Sequence, residues 1–241
     1  LATPAAERVR DELVRILDSA QPDAWLRLME NLGQLRVVLP EMAALAGVGQ
    51  SAPHRWDVLE HTLAVVRHVA WQRQWLSGAV EAESWHEQRV ADGLVSLRAE
   101  MASHFGQGEG IVRTRGQMWP WAAMGHDWGK PATRSEDRWP GQPLRVRFLG
   151  HERVSAELIM NALRRLRFND AEVRRAAVIV GEHMRPLELA TAGQSPSKRA
   201  VYRFFRDAGD AGVDVVLLSL ADVYATYGPD LEPGPWARQV S

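Results

Sequence analysis

Apolar residues recur at helical spacing along nearly the whole chain, and no convincing run alternates apolar with polar residues as a half-buried strand would. Val9, Leu13, Ile16 and Leu17 lie at i, i+4, i+7 and i+8, which predicts an amphipathic helix over 4–20. Pro22 opens a second helix that Gly33 stops, and a short third one ends near Pro40. After a loop over 47–53, long helices are predicted over 57–76 and 81–104. The Gly-rich stretch 106–116 reads as a loop and carries no phosphate-binding signature. A short apolar helix over 119–126 follows, then an irregular excursion or small hairpin over 134–148. Helices over 150–168, 170–184, 197–208 and 212–227 complete the pattern, with Asn169 as an N-cap. The expected fold class is all-α, a helical bundle with at most one short β-hairpin. The expected division is an N-terminal helical segment (1–50), a main domain (51–228) and a frayed tail (229–241).

Composition narrows the class. At 241 residues, 46% hydrophobic and 24% charged, the chain is long and apolar enough for a substantial core. No apolar run approaches the roughly 18–20 residues that cross a bilayer, and the charged N-terminal stretch is not an apolar leader. A first residue other than Met is expected of a processed product or an excised piece. The absence of cysteine excludes disulfides and thiolate metal sites and suits the cytoplasm. A net charge of −1 argues against a uniformly basic nucleic-acid surface. Of the 29 basic residues only Lys130 and Lys198 are lysines. Where arginine is the default cation, a retained lysine hints at a need for a compact point charge.

Lys130 closes the most informative stretch, Gly125-His126-Asp127-Trp128-Gly129-Lys130-Pro131. An imidazole and a carboxylate side by side, where an apolar helix ends, suit a mid-row divalent metal. Further donors sit on other helices: His61 flanked by apolar Leu59 and Leu63, His151 after Gly150, His183 at the end of an apolar face, and Asp222 in an otherwise apolar helix. Each histidine alone is more often a core residue than a ligand. The carboxylate of Asp222 is different, because among apolar neighbours it demands a cation. Of the remaining histidines, His54 stands where it could line a pocket mouth and touch substrate. His68 shares a face with His61 two turns away, and His86 and His104 are expected to face solvent.

The order His61, His126-Asp127, His151, His183, Asp222 resembles the ligand set of the HD superfamily of metal-dependent phosphohydrolases. The stretches Glu7 to Leu13, Asn31-Leu32-Gly33 and Val38-Leu39-Pro40-Glu41 are similar to the helical region of bacterial tRNA nucleotidyltransferases and poly(A) polymerases. Arg199 to Phe205, ahead of Ala221-Asp222, continues that likeness. The Gly-Ser signature and paired aspartates of a nucleotidyltransferase head have no counterpart in these residues, so this stretch alone is not expected to add nucleotides.

The resemblance implies one or two divalent ions per chain (Mn, Fe, Co, Ni, Mg or Zn). The first would be held by His61, His126, Asp127 and Asp222, and the second by Asp127, His151 and His183. It implies hydrolysis of a phosphate ester on a nucleotide or RNA 3′ end, with Asp127 and Lys130 as catalytic residues. His54, Arg134, Arg185, Lys198 and Arg199 are then substrate contacts, since guanidinium grips phosphate in bidentate fashion. The rival expectation is an RNA-binding body with a metal-binding, non-catalytic pocket. There the arginines Arg164, Arg165, Arg167, Arg174 and Arg175 either touch phosphates or form a solvated face. No membrane partner is expected.

Overall fold

The computed structural model describes residues 5–109, 113–139, 141, 143–191 and 195–227. The expected tail over 229–241 lies outside them. The fold is all-α with two short β-ladders. Its first helices are α1 (Ala6–Asp18), α2 (Pro22–Asn31), α3 (Leu35–Val38) and α4 (Pro40–Ala43). Proline at the first position of α4 forces Leu39 out of helical geometry (φ −135°, ψ 66°), so the predicted third helix ends there as α3, and α4 beyond it was not anticipated. The long helix α5 (Val58–Ser77) starts at Asp57, whose carboxylate accepts from the Glu60 N–H, and ends at left-handed Gly78.

The region predicted as one helix over 81–104 is two, α6 (Trp85–Leu94) and α7 (Arg98–Gly106), joined by a 3₁₀ turn at Val95–Leu97. A reciprocal Ser84–Glu87 capping box fixes the start of α6. Gly93 weakens its end just before the break. The stretch expected as a loop after Gly106 carries a small ladder, β1 (Gly108–Glu109) against β2 (Arg113–Thr114).

Next come α8 (Arg115–Gly125), α9 (Lys130–Thr133) and the hairpin of β3 (Arg134–Asp137) and β4 (Arg145–Phe148). Its register pairs Arg134 with Phe148 and Asp137 with Arg145, over the range read from sequence. The remaining helices are α10 (His151–Arg165), α11 (Asp170–Glu182), α12 (Arg185–Thr191), α13 (Lys198–Ala208) and α14 (Gly212–Tyr227). An Asn169–Glu172 capping box opens α11. α12 was not anticipated.

Helix α8 is buried along almost its whole length, with Trp119 and Trp121 inaccessible, and α5, α10 and α11 pack around it. Helix α14 lies against α5 and α11. Leu13, Leu17 and Leu26 of the first helices join the same buried cluster, so α1 and α2 dock on α8 and α5. No helix among the described residues is long and apolar enough to cross a membrane.

Of the two histidines expected to face solvent, one is buried and the other half-buried. His86 is buried, and its ring lies 3.6 Å from that of Tyr224, which His68 meets from another side at 3.7 Å. His104 reaches the buried carboxylate of Asp214 at 2.7 Å. The arginine cluster is not one solvated face either. Arg175 is buried against Asp214, and Arg165 makes a bidentate pair with Glu41 across to α4.

Candidate functional site

Five elements deliver six donors to one place. His61 comes from the second turn of α5. His126 and Asp127 follow the last residue of α8, His151 opens α10, His183 caps α11, and Asp222 sits in the third turn of α14. Two glycines set the local path. Gly150 is left-handed (φ +77°) and turns the chain from β4 into α10. At Gly129 a Cβ would lie 2.4 Å from the His151 carbonyl oxygen and 2.7 Å from the Ser155 nitrogen. Only glycine fits that approach, which the Gly129 N–H secures by donating to Ser155 Oγ at 2.8 Å. The contact holds the His126-Asp127 turn against the start of α10.

The donors fall into two groups, His61–His126–Asp222 and Asp127–His151–His183, each with its ligand atoms within 4.8 Å of one another. Asp127 stands between them. Its Oδ2 is 3.2 Å from His126 Nε2 and 3.5 Å from His61 Nε2, while its Oδ1 is 3.2 Å from His151 Nε2. Asp222 Oδ1 is 3.0 Å from His61 Nε2 and 4.0 Å from His126 Nε2.

The imidazole tautomers follow from the backbone. His126, His151 and His183 each place Nδ1 within 2.6–2.8 Å of the carbonyl oxygen three residues earlier, of Ala123, Phe148 and Val180. An Nδ1–H donated there leaves Nε2 a bare lone pair in the neutral ring. Yet His126 Nε2 faces His61 Nε2 at 3.4 Å, and His151 Nε2 faces His183 Nε2 at 3.3 Å. Between His151 and His183 two buried lone pairs therefore oppose and repel, and a cation between them turns the contact favourable. His61, whose Nδ1 has no partner among the described residues, instead sets its Nε2 3.0 Å from Asp222 Oδ1, where it donates until a cation takes the place of the proton. Backbone fixation of the outer nitrogen is the usual arrangement around a metal-binding histidine. The donor set, all nitrogen and oxygen, fits mid-row divalent ions.

Electrostatics agree with a cation-accepting pocket. Burial pushes His183 down to about 3, helped by His126 and His151. Burial and the nearby Lys130 push His54 down to about 4. Burial also lowers His61. For Asp127, burial favours the neutral acid, but His126 and Lys130 outweigh it and hold the carboxyl well below its ordinary value. The same opposition, resolved by His61, keeps Asp222 low. Both carboxylates are therefore ionised at neutral pH.

Asp127, His151 and Asp222 line a cavity of about 430 Å3, the size of a small-molecule site. Lys130 lies in the same lining, with Nζ 2.7 Å from Asp127 Oδ2, 2.7 Å from Gln50 Oε1 and over the Phe148 ring. His54 is in the lining, its ring 5.4 Å from that of His61. Four anticipated phosphate contacts are not in the lining. Arg134 pairs with Glu136, and Arg185 is held by Glu182 and Asp207 above Phe204. Lys198 and Arg199 are exposed on the first turn of α13. Instead β4 contributes Arg145 and Arg147, and the loop before α5 contributes Gln50. The Arg-Val-Arg-Phe alternation of 145–148 was the available sign for β4, whereas nothing local marks Gln50.

Comparison with known proteins places these features. Residues 89–227 match the HD domain family, and residues 1–45 match a family described as a probable RNA and SrmB-binding site of polymerase A. His61 precedes the first of these spans and reaches the site only through the fold. The chain is 36% identical over 231 residues to a CC-adding tRNA nucleotidyltransferase of Thermus thermophilus, covering 96% of this chain and 42% of that protein. It is 33% identical over 229 residues to an A-adding tRNA nucleotidyltransferase of Deinococcus radiodurans, at 95% and 42% coverage. A multifunctional CCA protein of Pseudomonas fluorescens is 30% identical over 180 residues. The chain thus spans well under half the length of these relatives.

Proposed function

Since the chain belongs to the HD-domain family, we propose that it forms the RNA-holding helical body of a tRNA nucleotidyltransferase-like protein and that its His/Asp pocket binds divalent metal. The observation that carries the first half is collinear similarity to two tRNA nucleotidyltransferases over nearly the whole chain, with RNA-binding likeness concentrated in residues 1–45. The observation that carries the second is the opposed pair of bare imidazole nitrogens of His151 and His183 beside Asp127, next to the grouped His61, His126 and Asp222. Two measurements test it: anisotropy of fluorescently labelled tRNA, and elemental analysis after dialysis against Mn. Retention of tRNA with at least one bound metal per chain is expected. Failure to retain tRNA sinks the first half, and metal-free protein at saturating Mn sinks the second.

A second reading is favoured by Asp127, whose two oxygens address the two donor groups separately. In it the pocket hydrolyses a phosphate ester on a nucleotide or an RNA 3′ end. Metal ions held by His61, His126, Asp127 and Asp222, and by Asp127, His151 and His183, would supply Lewis acidity toward phosphorus. The chain's own residues do the rest. Asp127 keeps its charge at all working pH values. Lys130, fixed by Asp127 and Gln50, presents an ammonium to the phosphoryl oxygens. His54, neutral at pH 7, offers the substrate a hydrogen bond without adding charge. Turnover of 2′,3′-cyclic nucleotides, mononucleotides or bis-p-nitrophenyl phosphate with Mn, lost in Asp127→Ala, is the expected result. A metal-loaded protein with no turnover on any of them would leave the RNA-holding reading and remove this one.

A further inference from the structure

The β3–β4 hairpin rises directly from the site. It leaves α9 just after Lys130, returns at Phe148 and delivers His151. Four of its residues, Arg134, Arg138, Arg145 and Arg147, are cations against two acids, Glu136 and Asp137, in a chain that is net acidic. Three of these cations are spoken for. Arg134 and Arg138 both pair with Glu136, and Arg147 pairs with Asp137. Arg145 is exposed, lines the cavity and has no partner among the described residues. Beyond it, past the outer end of the ladder, Trp139 is 65% exposed. The Ser51 hydroxyl accepts from the Val146 N–H at 2.7 Å and so ties β4 to the loop carrying Gln50 and His54. The arm is thus braced beside the pocket rather than free-standing.

The arm and its base thus bring three features to one side of the site: an exposed indole past the outer end of the ladder, an exposed guanidinium in the cavity lining with no partner among the described residues, and, on α9, the nearly buried Lys130 ammonium in the same lining. An exposed tryptophan beside arginine is how proteins hold unpaired nucleotides, because every base has a face to stack and every linkage a charge. A duplex would hide its bases from the indole. We propose that the β3–β4 hairpin is a guide for single-stranded RNA, with Trp139 stacking a base and Arg145 holding the adjoining phosphate, so that a 3′-terminal nucleotide enters the His/Asp pocket. This rests on the reading that RNA is a partner of the chain, and it adds where the strand's end lies.

The test is photocrosslinking of a single-stranded oligoribonucleotide carrying 4-thiouridine at its 3′ end, in EDTA so that no hydrolysis is needed, with crosslinked peptides mapped by mass spectrometry. Crosslinks are expected within residues 138–149. Trp139→Ala and Arg145→Ala should each weaken the hairpin crosslink about tenfold while melting temperature and Mn content stay as in the wild type. A single-stranded competitor should displace the probe better than a duplex of the same sequence. Crosslinks confined to residues 5–45, or unchanged in both variants, would overturn the guide while leaving the RNA-holding body intact, and would assign the exposed indole to a protein partner. Absence of crosslinks anywhere would remove both.

Discussion

Helix α14 carries two aspartates eight residues apart, Asp214 and Asp222, and the fold treats them in opposite ways. Asp214 is fully buried and completely compensated by protein. Arg175 donates to both of its oxygens, through Nη2 at 2.7 Å and Nε at 3.3 Å, and His104 adds a contact at 2.7 Å. Its carbonyl also accepts from the Trp119 indole at 3.1 Å. Among the described residues Asp222 meets only imidazoles, His61 at 3.0 Å and His126 at 4.0 Å, and those rings are themselves placed nitrogen to nitrogen. A carboxylate given a guanidinium is a structural brace. A carboxylate given only imidazoles, whose ring nitrogens can equally ligate an ion, is open to an exchangeable cation, and that difference separates a core from a site.

The largest effects come from deleting each carboxylate. Asp214→Ala takes from buried Arg175 its buried carboxylate and leaves it the solvent-exposed one of Asp210 at 3.3 Å, and should cost about 3 kcal/mol in urea unfolding, with Mn affinity within a few-fold of wild type. Asp222→Ala should lower affinity for the first Mn by at least about a hundredfold, more than the loss of an outer-shell partner typically costs, with little change in metal-free stability. At a hundredfold excess over its Kd, Mn should stabilise the wild type by about 2.7 kcal/mol, and this gain should vanish in Asp222→Ala. If Asp214→Ala lost the metal and Asp222→Ala lost the stability, the contrast between the two residues would be wrong.

The next effect concerns the frame that holds the site's other carboxylate. A methyl on Gly129 meets backbone at 2.4 and 2.7 Å, which cannot yield, whereas a methyl on Gly125 meets Ile159 Cδ1 at 2.8 Å, the end of a flexible side chain. Gly129→Ala should therefore destabilise by about 3 kcal/mol and Gly125→Ala by about 1 kcal/mol, measured by thermal unfolding. Equal losses would mean that the His126-Asp127 turn is not fixed by its contact with α10.

Acid should discriminate the two regions more gently. His183 and His54 fall to about 3 and about 4 in the folded protein, against an ordinary 6.5. Between those limits the unfolded chain takes up protons that the folded one refuses, so metal-free stability falls as pH drops below 6.5. The slope is about 1.4 kcal/mol per pH unit for each group, and His61, also lowered, acts in the same direction. His126 is raised: burial opposes the shift, and Asp127 more than offsets it. Its contribution is complete below pH 6.5, is lost only as pH rises through its folded value, and so does not cancel the slope. Asp127 and Asp222 contribute stability that is lost only below their ordinary 3.8. His183→Gln should flatten urea-derived stability between pH 6.5 and 4, and an unchanged slope would count against a neutral His183.

The helices were legible because amphipathic periodicity is local, and so was the 134–148 hairpin, bounded by irregular residues. The six residues that the fold gathers into two neighbouring groups could be picked out beforehand because motif order survives in sequence even where geometry does not. What escaped was pairing across distance. Arg175 looked like one of several arginines on a polar helix, and only the fold shows Asp214 opposite it. His86 sits in a mixed stretch whose period is blurred by the break at Val95–Leu97, so its burial against Tyr224 had no local sign. Arg185 follows a donor histidine and was expected to aim at the pocket. Glu182 and Asp207 hold it instead, and Asp207 belongs to α13, far along the chain.

The smallest predicted effect tests whether Lys130 belongs to the site or to the core. Its ammonium is nearly buried and has two oxygen partners, Asp127 Oδ2 and Gln50 Oε1, both at 2.7 Å. Asp127 lies three residues back on the same turn, so that contact persists in any fold of the segment. Gln50 lies eighty residues away on a loop whose own anchors are modest: the Gln50 amide donates to the Trp56 carbonyl at 3.4 Å, and the Gly47 N–H donates to Asp57 at 2.8 Å. Gln50→Ala removes one hydrogen bond to a charged donor and should cost about 1–2 kcal/mol, since the cavity lets water reach Nζ in its place. Freed from Gln50, Lys130 can swing fully onto Asp127 and compete with metal for that oxygen. Mn affinity should then fall about three- to tenfold, the equivalent of roughly 1 kcal/mol, while Gln50→Glu, which gives Lys130 a carboxylate, should restore it. A loss of stability with unchanged Mn affinity in Gln50→Ala would make this hydrogen bond a brace like Arg175–Asp214 rather than part of the cation-holding site.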